Sequence, residues 1–76
     1  MSYNFDKKAQ VKQWHIEIDS KANYGYFESE NTGNGGGLWF DAKKNLIDYD
    51  GVFELSQSII QAIENLGYNA ITRRIN

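Results

Sequence analysis

The sequence predicts a small α+β domain: an antiparallel β-meander of three or four strands with one C-terminal amphipathic helix packed on one face. Two observations predict it. Aromatic and β-branched residues fall in short segments separated by turn residues, and a single segment near the C-terminus has apolar residues at helical spacing. The chain has 76 residues. We therefore expect one domain over residues 1–76, with residues 1–10 and 69–76 frayed.

Composition limits the classes of protein to which the chain can belong. It is 41% hydrophobic and 24% charged, which is typical of a globular domain. It has no cysteine, which excludes disulfides and thiolate metal sites, and no cofactor is predicted. The net charge is −2 and basic residues occur at most in pairs, which argues against duplex nucleic acid as a partner.

Two further features of composition concern membranes. The longest apolar stretches are far shorter than the ~20 residues of a membrane span. The N-terminal residues lack the apolar core of a signal peptide. We therefore expect a cytoplasmic protein without a membrane partner.

The first clear pattern in the chain is an alternation of apolar and polar residues. From residue 11 to residue 19 this period of two predicts a half-buried strand, because successive side chains of a strand point to opposite faces. Residues 19–23 are rich in turn formers, and residues 24–30 form the predicted second strand. Residues 1–10 show no clear period and are expected to be a frayed lead-in or a short turn of helix.

A segment rich in glycine and asparagine, residues 31–37, follows the second strand. Both residue types tolerate a positive φ, so we predict a flexible hairpin loop. A phosphate-binding loop would run into a helix, whereas this segment runs into a third strand at residues 37–41. Residues 42–45 then reverse the chain and lead into a fourth strand, residues 45–49.

The helix is the clearest element of the C-terminal third. Ser56 or Ser58 can cap its start, and Gly67 suits the left-handed position after its end, with Tyr68 packing back on the last turn. Residues 69–76 are predicted to be a short edge strand or disordered. The apolar stripe that defines the helix consists of Ile59, Ile60, Ile63 and Leu66.

The segment between the fourth strand and the helix resembles a fragment of a calcium loop. Asp48 and Asp50 precede Gly51, but an EF-hand would need a ligand at Leu46 and a glutamate at Gln57. We therefore interpret these residues as a turn that ends a strand, with a weak cation site left open. Buried anchors leading into the helix are predicted at Tyr49, Val52, Phe53 and Leu55.

Loop lengths predict the strand register and hence the two faces of the sheet. Closing the first turn between Asp19 and Tyr24 pairs Ile16 with Phe27, and closing the long loop between residues 30 and 37 pairs Phe27 with Phe40. The face predicted to lie under the helix carries Trp14, Ile16, Ile18, Phe27, Leu38 and Phe40. The opposite face, here called the outer face, carries His15, Glu17, Tyr24, Tyr26, Glu28 and Trp39.

The outer face is the predicted functional surface. Its aromatic centre and polar rim are typical of an interaction surface, although aromatic residues are also common in ordinary strands. Predicted binding residues are Trp39, Tyr26, Tyr24, His15 and Glu28. The predicted partner is a protein, most simply a second copy, because two sheets stacked at roughly 10 Å would bury both aromatic faces.

The remaining functional classes are less well supported by the residues. His15 is the single histidine and faces Glu28 in the predicted register, but no residue is marked as a nucleophile or as a further metal ligand, so we expect no enzyme and no metal site. The alternative function is single-stranded nucleic-acid binding. Tyr24, Gly25 and Tyr26 resemble the aromatic strand with which cold-shock domains stack bases, whereas the negative net charge argues against it.

Overall fold

A five-stranded antiparallel sheet and one helix make up the part of the chain that the computed structural model describes, residues 2–50 and 55–70. The sheet order is β1-β2-β3-β4-β5, so each strand pairs with its neighbour in sequence. The predicted α+β meander followed by a helix is confirmed, with five strands instead of three or four. The elements are β1 (Lys7–Val11), β2 (Trp14–Asp19), β3 (Tyr24–Ser29), β4 (Gly35–Phe40), β5 (Leu46–Tyr49) and α1 (Gln57–Asn65).

The additional strand, β1, lies in the segment for which a frayed lead-in or a helical turn was predicted. That prediction is wrong for residues 7–10, which with Val11 pair with β2 in the register Ala9↔Ile16. The chain turns at Lys12, whose φ is 56°. The alternation predicted from Val11 therefore covers two strands, and the step of three residues from Val11 to Trp14, which breaks the period of two, marks the turn between them. Ala9 and Val11 pack against the core from β1.

The register between β2 and β3 is confirmed, whereas the one predicted between β3 and β4 is wrong. Phe27 lies opposite Gly36 and not opposite Phe40, and Glu28 lies opposite Gly35 and not opposite Trp39. The error is a slip of four residues. Because an even slip leaves every side chain on the same face, the predicted division into two faces survives it.

The cause of the slip is the glycine run, residues 35–37. Predicted as loop, it forms the first half of β4, and the connection is a tight turn in which Ser29 N–H donates to the carbonyl of Asn34 at 2.7 Å. Glycine is required there by close approach, since a Cβ on Gly35 would collide with the carbonyl oxygen of Phe27. The same atom on Gly36 would lie 2.6 Å from the carbonyl oxygen of Asp50.

The core lies between the inner face of the sheet and α1. Every residue predicted for this face is buried except Trp14, which is half-buried and packs against the cluster. The helix packs on β1 and β2 and buries Ile59, Ala62 and Ile63. The other buried members of the cluster are Ile16, Ile18, Phe27, Leu38, Phe40, Leu46, Tyr49, Tyr68 and Ala70.

Both ends of α1 are capped as the sequence predicts. The hydroxyl of Ser56, and not that of Ser58, accepts the N–H of Ile59 at 3.3 Å. After the helix, Gly67 has φ 90°, and Tyr68 N–H donates to the carbonyl of Ile63, which together make a Schellman end.

Beyond the helix, the chain turns back along the sheet. Asn69 makes a parallel bridge with Asn45 beside β5, as a short edge strand would, and the ring of Tyr68 packs on Phe40 with a centroid distance of 4.6 Å. The predictions for residues 71–76, and for Val52 and Phe53 as anchors, lie outside the described residues.

We expect Ile16→Ala to lower the free energy of unfolding by about 2–5 kcal/mol, because the side chain is fully buried and its loss leaves a cavity. The matched control is Ile47→Ala, which removes the same atoms from a strand residue that is 57% exposed and should change stability by less than about 0.5 kcal/mol. Urea unfolding followed by far-UV circular dichroism measures both. Equal losses in the two variants would contradict the assignment of the inner face.

Candidate functional site

The outer face carries a row of aromatic side chains that crosses the strands. Tyr24 and Trp39 are opposite each other on β3 and β4, with ring centroids 5.4 Å apart. Tyr26 lies two residues along β3 from Tyr24. Trp39 is 40% exposed, whereas Tyr24 and Tyr26 are half-buried. The structure therefore places the three predicted aromatic binding residues on one contiguous surface.

The N-terminal segment, residues 2–6, covers part of this surface. Tyr3 packs on Tyr24 with a centroid distance of 4.8 Å, and Phe5 packs edge-on against Tyr26 at 5.2 Å. The spacing explains the match: Tyr3 and Phe5 are two residues apart in an extended segment, as are the two tyrosines on their strand. Trp39, one strand farther from β1, keeps its exposure.

Two aspartates attach the N-terminal segment to the turn between β2 and β3. One oxygen of Asp19 accepts the N–H of Asn4 at 2.9 Å, while its other oxygen accepts the N–H groups of Lys21 and Ala22. Asp6 accepts both the hydroxyl of Ser20, at 2.6 Å, and the N–H of Ser20, at 2.9 Å. These contacts stabilise the ionised carboxylates. The hydrogen bond from Asn4 is the main cause of the lowered pKa of Asp19, and that from the Ser20 hydroxyl of the lowered pKa of Asp6.

His15 does not pair with Glu28 as the sequence predicted. Although the two residues are opposite each other in the sheet, His15 Nε2 donates to Glu17 Oε2 at 2.6 Å, two residues along the same strand. Glu17 also accepts from the hydroxyl of Tyr26, its cross-strand partner. These two hydrogen bonds, first that of His15, lower the pKa of Glu17, while burial and then Glu17 itself raise the pKa of Tyr26.

Trp39 is held over the backbone by a glycine on the same strand. Gly37 precedes it by two residues on the outer face, and a Cβ on Gly37 would lie 2.7 Å from Cη2 of the indole. The ring therefore folds back over a position that has no side chain. Beside it, Asp48 of β5 is the cross-strand partner of Trp39.

Next to the indole lies a shallow, open groove of about 420 Å³. Its floor is the glycine run of β4, and its wall is formed by the outer side chains of β3. Glu28 lies opposite Gly35, which is two residues from Gly37, the position over which the indole folds. The residues that line the groove include Tyr24, Tyr26, Glu28, Gly35, Gly36 and Gly37.

Several residues of this surface were not predicted from the sequence as functional. Tyr3 and Phe5 were assigned to a frayed segment, although their spacing matches that of Tyr24 and Tyr26. The glycine run was assigned to a loop, although the alternating strand pattern of Leu38 and Trp39 follows it without a break. Both patterns are present in the sequence. Neither could be interpreted from the sequence alone, because each depends on packing or pairing with β3.

The described residues show neither a cluster of metal ligands nor a membrane-spanning helix. Within residues 2–50 and 55–70, no group of three or more histidine, aspartate or glutamate side chains is arranged to hold a metal ion. No helix in that same part of the chain is both long enough and apolar enough to cross a bilayer.

We expect the N-terminal segment to leave the outer face in acid. The pKa values of Asp6 and Asp19 are lowered in the folded state, so their contribution is complete above the unfolded-state pKa of about 4 and is lost as the pH falls through the folded-state values. Nuclear Overhauser contacts between the rings of Tyr3 and Tyr24 should be present at pH 7 and absent near pH 2.

The Asp19→Asn variant tests the hydrogen bond from Asn4 separately from the hydrogen bonds that Asp19 accepts within the turn. An asparagine keeps one acceptor oxygen for Lys21 and Ala22 but presents an NH₂ group to the N–H of Asn4, so the ring contacts of Tyr3 should weaken already at pH 7. Glu64→Gln, an exposed helical carboxylate, is the control and should leave them unchanged. Ring contacts that persist in the Asp19→Asn variant would show that the aromatic packing alone holds the segment.

We expect Gly37→Ala to displace the ring of Trp39 while the sheet stays folded, because the atom that a Cβ would meet is the far end of a side chain. The indole should become more accessible, with red-shifted emission and stronger quenching by acrylamide. The same substitution in a Trp39→Phe background gives the emission of Trp14 alone for subtraction. Emission identical to that of the wild type would contradict the stacking of Trp39 over Gly37.

Comparison with protein families, with curated proteins and with solved structures finds no match to this chain. The candidate site is therefore described by its own geometry: an exposed tryptophan beside a groove with a glycine floor, partly covered by an N-terminal segment that two aspartates attach.

Proposed function

We propose that this chain is a non-enzymatic protein-interaction domain that binds its partner through the outer face around Trp39, Tyr24 and Tyr26. The observation that carries the proposal is the exposure of Trp39, which is 40% accessible although the inner face of the same sheet buries the aromatic side chains of Phe27 and Phe40. Tryptophan and tyrosine are the residues most enriched at the energetic centres of interfaces.

The position of the indole supports this role. Its ring lies over Gly37 and against Tyr24, so it is held in place before any partner arrives. An ordered aromatic side chain loses little conformational entropy on binding. Glu28 and Asp48 lie on the same side of the sheet and would form part of a polar rim.

The hydrogen-bonded group of His15, Glu17 and Tyr26 gives less support to catalysis. A general acid or base works best with a pKa near the working pH, whereas the two hydrogen bonds to Glu17 lower its pKa and keep it ionised. The group lies on an open sheet face rather than in a closed cleft, and Phe5 packs against Tyr26. A role in ordering the outer face accounts for these contacts.

A second copy of the chain is the simplest partner to test. The N-terminal segment covers the Tyr24 and Tyr26 part of the face, so a second copy would meet the domain at Trp39. Single-stranded nucleic acid is the rival ligand, since bases also stack on aromatic rings. Glu28, Asp48 and the net charge of −2 oppose a polyanion.

The first experiment is molar mass by light scattering over a concentration series, for the wild type, Trp39→Ala and Ile47→Ala. Ile47 is the matched control because it is a large, exposed apolar residue outside the aromatic row. A mass that rises with concentration in the wild type and in Ile47→Ala, but not in Trp39→Ala, would assign the face to self-association.

A monomer at all concentrations directs the test to other proteins. A partner identified by affinity capture should then bind, as a purified protein, to the wild type and Ile47→Ala and at least tenfold more weakly to Trp39→Ala. Urea unfolding of Trp39→Ala is the check on its fold. A loss near 1 kcal/mol is expected for a half-exposed side chain, against about 3–5 kcal/mol for a core tryptophan. Association and binding unchanged in Trp39→Ala would refute the proposed function.

A further inference from the structure

The N-terminal segment, residues 2–6, is bound to the sheet as a short peptide ligand would be. We call this segment the arm and the residues that receive it the arm site. Two aromatic rings of the arm, two positions apart, pack on two tyrosines of β3, and a carboxylate accepts the backbone N–H between them. At the end of the arm, Asp6 accepts the hydroxyl and the N–H of Ser20. The arm site consists of Asp19, Ser20, Tyr24 and Tyr26.

The contacts between the arm and the arm site do not depend on the covalent connection between them. The arm is attached by ring packing and by hydrogen bonds that side-chain carboxylates accept. The same groups are present in every copy of the chain, so the arm of another copy can make the same contacts. Exchange of an identical element between two copies is therefore a route to a dimer that loses no contacts.

The sequence of the chain supplies both halves of this contact. It contains two triplets in which aromatic residues flank one other residue, residues 3–5 and residues 24–26. The first lies in the arm and the second is the part of β3 on which the arm packs. A second copy therefore brings a ligand that is already known to fit the arm site, together with an arm site of its own.

The length of the arm is sufficient to reach a second copy. Five extended residues span about 17 Å, whereas two sheets stacked face to face lie about 10 Å apart. The arm joins the sheet at Lys7, the first residue of β1. An arm that left its own sheet there would therefore reach the arm site of a copy whose outer face lies opposite.

Additional contacts are needed to favour exchange, because the arm has a high effective concentration at its own site. The aromatic surface around Tyr24 can supply them. The ring of Tyr24 packs on Tyr3 at 4.8 Å and on Trp39 at 5.4 Å. Tyr3 is nevertheless 53% exposed and Trp39 40% exposed. A second copy lying over these rings would bury apolar area that stays in water in the monomer.

We propose, resting on the protein-interaction function above, that two copies of the chain associate through their outer faces and exchange their arms. Tyr3 and Phe5 of each copy then pack on the two tyrosines of the other copy's arm site, and the exposed indoles are covered in the same interface. The structure described above is the monomer, in which the arm occupies its own site.

Isotope-filtered NMR distinguishes an exchanged arm from one that stays on its own sheet. Equal amounts of isotope-labelled and unlabelled full-length chain are unfolded together in urea and refolded, so that the two kinds of copy mix. The filtered experiment detects nuclear Overhauser contacts only between a labelled copy and an unlabelled one. We expect such contacts between the rings of Tyr3 and Tyr24 and between those of Phe5 and Tyr26, in a species that has the molar mass of a dimer by light scattering.

A variant of the arm tests whether exchange stabilises the dimer. Tyr3→Ser combined with Phe5→Ser removes both rings of the arm, and neither residue belongs to the sheet, so the far-UV circular dichroism should stay unchanged. The dissociation constant of the dimer should rise at least tenfold. Ile47→Ala is the control for loss of exposed apolar area, since Ile47 lies outside the arm and the arm site, and it should leave the constant within a factor of about 2.

Three outcomes would overturn the proposal: a dimer without filtered contacts between arm and arm site, equal dissociation constants for the wild type and the double variant, or a monomer at every concentration. Failure here is distinct from failure of the proposed function. If association or partner binding depends on Trp39 while each arm stays on its own sheet, the outer face is an interaction surface and only the exchange is wrong.

Discussion

Burial of the inner sheet face is the interaction on which the rest of this structure depends. A helix of nine residues packs on β1 and β2. The buried cluster also includes Tyr49 of β5, and Tyr68 and Ala70, which follow the helix. A domain this small buries only roughly 60% of the surface of its unfolded chain, so little material is left for a second layer. Within the described residues the opposite face has no helix over it, and its aromatic side chains must be accommodated in another way.

The chain accommodates them by two different means. Near β2 and β3, the N-terminal segment lays Tyr3 and Phe5 over Tyr24 and Tyr26 and is attached through carboxylates that accept backbone N–H groups. On β4, the absence of a side chain at Gly37 leaves room for the ring of Trp39, which folds over that position. The first arrangement covers aromatic surface and the second leaves it open. This difference is the physical basis for placing the proposed interaction at Trp39 rather than evenly over the face.

The polar residues of the outer face are arranged along the strands as well as across them. Glu17 receives hydrogen bonds from His15 and from Tyr26, which leaves Glu28 exposed at the edge of the groove although it lies opposite His15. His15, Glu17 and Tyr26 therefore form one hydrogen-bonded group close to the N-terminal segment. The exposed carboxylate of Glu28 lies apart from this group, at the groove. Among the residues of β3, β4 and β5, the charged side chains on this part of the face are those of Glu28 and Asp48.

Local patterns in the sequence were sufficient for the fold class, for the division of the sheet into two faces, and for both caps of the helix. Each of these follows from a short-range rule: the period of two in Trp14, Ile16 and Ile18, the helical spacing of Ile59 and Ile63, or the positive φ of Gly67. The short turn between β2 and β3 also determined the register of these two strands, because few pairings are compatible with so short a connection.

Only the tertiary structure decided the remaining features, since each depends on a neighbour distant in sequence. Gly35 to Gly37 have the composition of a loop, and their place in β4 follows from pairing with β3, where close approach requires glycine. Tyr3 and Phe5 lie in a segment without a period of its own and become ordered against rings some twenty residues away. The sequence by itself therefore determined which residues lie on the outer face. The tertiary contacts decided which of them remain open, because exposure depends on what packs above a residue and not on the residue alone.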